Sequence, residues 1–502
     1  MNRLSLIHVL TAVKPLSAAL VVLGLGVAAP ANALPTGKTA DAKANYANHQ
    51  TSVKPPTKTS NRMDLGATID QRRHAYTLDN GLKVIIQEDH RAPVVMSQIW
   101  YRVGATDEPE HLGGISHLLE HMMFKGTPKV SSADFERVLA KFGGSNNAFT
   151  THDYTAYYEV LPANRLGLAL ELEADRMTNL TLRQSDFDAE RQVVMEERRL
   201  RTDDNPNARA FEQFSRMAYP DSPKGESVIG PMAEIAGIKL TDLAAWYRQW
   251  YAPNNATVVI VGDVKPDEAL ALVKRYFGDK PPQALPTRPS VRQAGFRGYH
   301  EARTALPVQV PSLMLAYNLP TLTTANHPDE AYQLALLSQV LDGGLSARLE
   351  KHLVRDQQVL AAVGSSYSAF DRGDGLLFIH ATPRDGVSLA QAQAALLAQI
   401  EQLKTAPISA QELSRAKTHA LTELVYAQDS LAGQARTIGS LASIGIDDRE
   451  IYRLPEHFAR ITPADLQRVA QRYLTKDNLT VLSVEPSGQG NHPADTTVKP
   501  KA

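Results

Sequence analysis

The feature that most constrains what this chain can fold into is that it repeats itself. Ile238-Lys239-Leu240-Thr241-Asp242-Leu243, followed by Asn255 and Thr257-Val258, recurs 223 residues later as Ile461-Thr462-Pro463-Ala464-Asp465-Leu466, Asn478 and Thr480-Val481. A second stretch, Gly113-Gly114-Ile115-Ser116-His117-Leu118-Leu119-Glu120-His121, matches Gly343-Gly344-Leu345-Ser346-Ala347-Arg348-Leu349-Glu350-Lys351 at an offset of 230. One shared helix start is easily met by chance. Two in the same order, at offsets one short loop apart, point to duplication of an α/β unit of roughly 200 residues. At 502 residues the chain is too long for one ordinary domain, which agrees.

Strand-like patterns fall at Leu82–Ile86, after the turn signal Asn80-Gly81, and at Val94–Val103 and Thr257–Val261. Helical periodicity marks Ile115–Phe124, Ala133–Phe142, Arg165–Asn179 and Asp186–Arg201. The character changes over Gly278–Pro311, which holds Pro281, Pro282, Pro286, Pro289, Pro307 and Pro311. The expected architecture is α+β: an N-terminal domain over 71–280, a proline-rich linker over 281–311, a second domain over 312–486 and a polar tail over 487–502.

The amino terminus reads as an address. Basic Arg3 and Lys14 precede the apolar run Leu16–Ala29, and Ala31-Asn32-Ala33 is a small-x-small cleavage site. This predicts a signal peptide over 1–33, then a polar leader over 34–70, and export to a bacterial periplasm. The run is shorter than the roughly 20 residues needed to span a bilayer, and no later segment is apolar enough. Lys and Arg number 53 against 54 Asp and Glu, so no overall basic excess points to nucleic acid. Cysteine is absent, which excludes thiolate metal sites and cysteine nucleophiles.

His117-Leu118-Leu119-Glu120-His121 carries the chemistry. Positions i and i+4 of a helix share a face, about 40° apart, so two imidazoles there can chelate one metal ion. Zinc suits imidazole and carboxylate donors, and Glu120 beside them can take a proton from a water. Leu118, Leu119, Met122 and Met123 make this a largely buried helix, in which purposeless histidines and a glutamate would be costly. A third ligand is needed. Glu190 and Glu197 lie seven apart on one helix, nearly on one face; Glu197 is assigned to the metal and Glu190 to supporting a ligand histidine. The residues alone leave open that these acids merely solvate an Arg-rich helix.

These residues together resemble the M16 metallopeptidases, the pitrilysin and mitochondrial processing peptidase group, most of all the bacterial two-domain members. The likeness runs from about Tyr76 to Pro486. It includes His117–His121 continuing as Met122-Met123-Phe124-Lys125-Gly126-Thr127, the Glu190 and Glu197 pair, and Gly143-Gly144-Ser145-Asn146-Asn147-Ala148-Phe149-Thr150 followed by Tyr157-Tyr158. The resemblance implies the duplicated LuxS/MPP-like metallohydrolase fold, with an inactive second domain and halves hinged by the linker around a peptide. It implies one zinc ion held by His117, His121 and Glu197, with Glu120 as general base of a zinc endopeptidase. It also implies that Asn147 and Ala148 lie on an edge strand that binds substrate, which suits the strand-like pattern over Asn147–Val160. One departure matters. The family's second half often carries an Arg and a Tyr, four apart, that bind substrate; Gln357 and Ala361 stand at those places, with Arg355 off register. Ala347 and Lys351 stand where the first half has histidines. The expectation is a heterodimer in which a homologous partner supplies Arg and Tyr.

Overall fold

The computed structural model describes residues 71–292 and 298–488. The expected signal peptide, leader and most of the tail lie outside the described residues. The first half runs β1 (Arg73–Thr77), β2 (Lys83–Glu88), β3 (Val94–Tyr101), α1 (Ile115–Met122), α2 (Ser132–Lys141), β4 (Ser145–Thr150), β5 (Thr155–Pro162), α3 (Leu166–Asn179), α4 (Gln184–Arg198), α5 (Pro206–Ala218), α6 (Met232–Gly237), α7 (Leu240–Trp250), β6 (Ala256–Gly262) and α8 (Pro266–Phe277). The second runs β7 (His300–Leu306), β8 (Ser312–Leu319), α9 (Pro328–Asp342), a π-helical turn (Glu350–Asp356), β9 (Leu360–Ser366), β10 (Gly375–Pro383), α10 (Leu389–Thr405), α11 (Ala410–Ala427), α12 (Leu431–Ile444), α13 (Leu454–Arg460), α14 (Pro463–Tyr473) and β11 (Leu479–Pro486).

Each half builds one mixed sheet. The strand orders are β1-β2-β6-β3-β5-β4 and β7-β11-β8-β10-β9. Beyond the extra β1 the two are the same path: β2 pairs parallel with β6 as β7 pairs parallel with β11, and every other pairing is antiparallel. The chain is thus two α/β halves of common topology.

That topology corrects the register of one sequence match. Between β3 and β4 come α1 and then α2; between β8 and β9 come α9 and then the π-helical turn. The counterpart of α1 is therefore α9, which packs on α11 as α1 packs on α4. Gly343-Gly344 follows α9 and does not precede it, so Ala347 and Lys351 are not the replacements of His117 and His121. The true counterpart, α9, contains no histidine at all. Glycine-glycine pairs punctuate many helix ends, so this similarity carries no register.

The stretch 281–311 contains more than a connection. His300–Leu306 is β7, the parallel edge strand of the second sheet, so that sheet begins inside the expected linker. Its alternating exposure marks an edge strand, and the prolines around it masked the alternation. The segment Asn147–Val160 is two strands, β4 and β5, joined by a turn at Thr151–Tyr154.

The halves also exchange helices. β6 is buried along its whole length because both sheet faces are covered, which explains its unbroken apolar run. One face packs on helices of its own half, including Leu118, Leu119, Leu170 and Phe277. The other packs on α12 of the second half, where Ala435, Ile438 and Ala442 meet Ile85, Met96, Trp100, Val259 and Val261. Reciprocally, Ala210, Phe214 and Ala218 of α5 cover Met314, Ala316, Leu482 and Val484 of the second sheet. The halves are therefore interlocked, not joined by a hinge alone. Among the described residues no helix is long and apolar enough to cross a membrane.

Candidate metal centre

α1 starts from a fixed point. Gly114 is left-handed (φ +90°), and a Cβ there would lie 2.3 Å from the Ile229 carbonyl oxygen, so glycine is required. The Glu108 carboxylate accepts from the backbone N–H of Gly114 at 2.7 Å and of Ser116 at 2.8 Å, holding two donors of the first turn. Ile115, Leu118, Leu119 and Met122 sink into the core. His117, Glu120 and His121 are left on the half-buried side, toward α4 and β4.

α4 brings Glu197 to them. The Glu197 Oε2 atom lies 3.4 Å from His121 Nε2 and 3.8 Å from His117 Nε2. The three ligand atoms lie within 4.8 Å of one another, the one such His/Asp/Glu group among the described residues. Metal–ligand bonds of about 2.1 Å at tetrahedral angles put donor atoms about 3.4 Å apart, which the two Glu197–histidine separations of 3.4 and 3.8 Å approach. The donor set, two imidazoles and a carboxylate, is that of a catalytic zinc site with one position left over.

The surroundings orient the donors. His121 Nδ1 lies 3.0 Å from Glu190 Oε1, and the other Glu190 oxygen pairs with Lys125. An Nδ1–H donated to Glu190 leaves Nε2, beside Glu197, as the atom that would meet a cation once its proton is lost. His117 Nδ1 is buried and has no hydrogen-bond partner among the described residues. Arg201 Nη1 lies 2.7 Å from Glu197 Oε1. Glu120 Oε2 accepts from Thr150 Oγ1 at 2.6 Å.

The ionisation pattern of the metal-free chain follows. Burial, helped by His121, pushes the His117 imidazole down to about 4. Burial alone would lower His121 too, but its contacts with Glu190 and Glu197 outweigh it and raise it to about 9. For Glu197 burial is likewise outweighed, here by His121, His117 and Arg201, which hold the carboxyl near 2. Glu190 is lowered against burial by His121 and Lys125. Burial pushes Glu120 up, and the Thr150 hydroxyl opposes it. One carboxylate and one neutral imidazole thus stand ready, and a proton on His121 occupies ground that a cation would take.

Asn147 and Ala148 lie on β4, at the outer edge of the first sheet. Asn147 Oδ1 accepts the Ala148 N–H at 2.8 Å. Lys125, Thr150 and Arg201 join the site through contacts that the motifs do not announce. The contacts of Lys125 and Thr150 cross between elements, so no spacing rule reveals them. Arg201, four residues after Glu197, fits a helical i,i+4 pairing rule, the one signal of these three that sequence spacing carries.

Residues 83–232 match the family Insulinase (Peptidase family M16), and residues 237–419 match the Peptidase M16 inactive domain. Zinc protease PqqE of Helicobacter pylori is 30% identical over 426 residues, covering 83% of this chain and 93% of that protein. The chain belongs to the M16 metallopeptidase family. Zinc protease YmxG of Bacillus subtilis is 24% identical over 82% of this chain and 98% of its own. The crystal structure of a protease from Helicobacter pylori superimposes with a TM-score of 0.77 at 28% identity, covering 82% of this chain and 99% of that one. The relatives' names agree with the zinc-type donor set, and the inactive-domain match takes in α9, which lacks histidine.

Proposed function

We propose that this M16 chain is an exported zinc endopeptidase that hydrolyses peptide bonds in extended, unfolded polypeptide. The observation that carries this is the convergence of His117, His121 and Glu197 with Glu120 next to an edge strand that, among the described residues, has no partner on its outer side. The triad would hold one zinc ion, which supplies Lewis-acid chemistry: it polarises a carbonyl and makes a water more acidic. An extended segment adds to β4, its carbonyl replacing Asn147 Oδ1 as the acceptor of the Ala148 N–H. As water adds to the scissile carbonyl carbon, Glu120 takes one of its protons and delivers it to the amide nitrogen when the C–N bond breaks.

The absence of Arg and Tyr at Gln357 and Ala361 supports a second subunit of the same family that supplies them. The apolar run Leu16–Ala29 and Ala31-Asn32-Ala33 support a signal peptide and a periplasmic location. The same missing pair favours one other reading, a binding subunit without activity. Cleavage of a quenched unstructured peptide by zinc-loaded 34–502 separates them. Chelator-sensitive turnover that Glu120→Gln abolishes, with zinc still bound, is expected. Turnover that survives Glu120→Gln removes Glu120 from the mechanism. A folded, zinc-bound chain with no turnover, alone or with a co-exported homologue, supports the binding reading.

A further inference from the structure

We propose that Thr150 is a positioning residue for Glu120, tying the orientation of the general base to the strand on which peptide docks; this rests on the peptidase reading above. Thr150 is the last residue of β4. Its Oγ1 has two neighbours: Glu120 Oε2 at 2.6 Å and Thr155 Oγ1 at 3.5 Å. The Thr155 hydroxyl spends its proton on the Val103 carbonyl at 3.0 Å. Thr155 can therefore only accept, and a carboxylate at 2.6 Å outcompetes a neutral hydroxyl at 3.5 Å for the Thr150 proton. The direction of donation is fixed, from Thr150 to Glu120.

A carboxylate on a flexible stem has two equivalent oxygens and a broad terminal torsion. A donor held against Oε2 removes that freedom and makes the oxygens unequal. Oε1 has no hydrogen-bond partner among the described residues and is left for the proton of a water. Because Thr150 donates to Oε2, its bond persists when Oε1 gains a proton, so the side chain keeps its place through transfer and return.

The same residue belongs to the docking edge. Ala148 and Thr150 are two apart, opposite Tyr157 and Thr155 in the antiparallel ladder. Outward and inward backbone groups alternate along such a strand, so the Thr150 N–H and C=O share the open edge with those of Ala148. A peptide paired along β4 thus orders the backbone of the residue whose hydroxyl aligns the base.

Thr150→Val keeps the shape and removes the donor; Thr150→Ser keeps the donor and removes the methyl. In the zinc-loaded protein, Thr150→Val is expected to lower kcat about 10- to 100-fold with KM changed by less than about 2-fold, and Thr150→Ser to return kcat to within about 3-fold of wild type. Zinc content should be equal in all three. Crystal structures should show one Glu120 rotamer in wild type and Thr150→Ser and more than one in Thr150→Val. The proposal is overturned by a Thr150→Val enzyme with wild-type kcat, by Thr150→Ser as slow as Thr150→Val, or by a loss confined to KM. A folded, zinc-bound wild-type protein without turnover, both alone and with a co-exported homologue, would instead defeat the peptidase reading. The rotamer comparison still decides in that case, and a single Glu120 rotamer in Thr150→Val would overturn the positioning role.

Discussion

His117 and His121 are four residues apart on one helix, yet they are held in different ways. His121 is the end of a relay through Glu190 to Lys125, whereas His117 Nδ1 is buried with no such partner among the described residues. Zinc affinity should therefore depend on the relay. Glu190→Gln is expected to weaken zinc binding about 10- to 100-fold, read by competition with a chelator of known affinity. Arg201 touches the ligand Glu197 too, but it is 76% exposed on its side chain, so Arg201→Ala should shift affinity by less than about 3-fold. Equal effects of the two changes would mean that net charge near the ion, and not ligand orientation, sets affinity. At this scale the sequence was legible where one helix carries the pattern. His117, Glu120 and His121 announce themselves by spacing, and Glu190 with Glu197 nearly so. Lys125 and Thr150 act through partners 65 and 30 residues away in sequence, a relation that only the fold creates.

Among elements, α12 is the piece the sequence could not place. The apolar run of β6 says that both faces of the strand are covered, but nothing in it names a helix about 180 residues later as the cover. β7 was hidden for a related reason: edge strands are short and polar on one side, and here prolines flank one. The contact that lets α12 approach is Gly439, where a Cβ would lie 2.0 Å from Trp100 Cε2. Trp100 cannot yield easily, since it is fully buried and its indole N–H donates to Gln98 Oε1 at 2.8 Å. Gly439→Ala is expected to destabilise the protein by about 1–3 kcal/mol, the usual range for overpacking a closed site, despite the better helix propensity of alanine. Denaturant titration checks this; unchanged stability would mean that α12 can slide on the sheet. The helix also reaches the docking strand, because the Arg436 guanidinium sits 4.8 Å over the Phe149 ring of β4. A shift of α12 should therefore reach β4 as well.

Across the whole molecule, polar contacts complete the interlock that the exchanged helices begin. Asp107, fully buried on its side chain, receives Arg288 from the connection and Arg372 from the second half, and Arg372 also reaches Asp153 in the β4–β5 turn. On α12, Gln434 donates to Asp89 Oδ2 at 2.8 Å, while Arg91 pairs with Asp89 and donates to the Gln428 carbonyl at 3.1 Å. Two cores made of residues from both halves, together with these contacts, predict one cooperative unfolding transition for the described body, by calorimetry and by fluorescence alike. The Asp89 junction adds a dependence on pH. The Arg91 guanidinium holds the Asp89 carboxyl down against burial, with Gln434 helping, from 3.8 to about 2. A carboxyl depressed by folding contributes stability that is fully present above its unfolded value and is lost as pH falls toward its folded one. Asp89→Asn imitates the protonated group. The Tm of wild type should therefore exceed that of Asp89→Asn by a constant margin above about pH 5, and the margin should close as pH falls from about 4 to about 2. A margin that persists unchanged to the acid end would assign the loss in Asp89→Asn to altered packing at α12 and not to the charge.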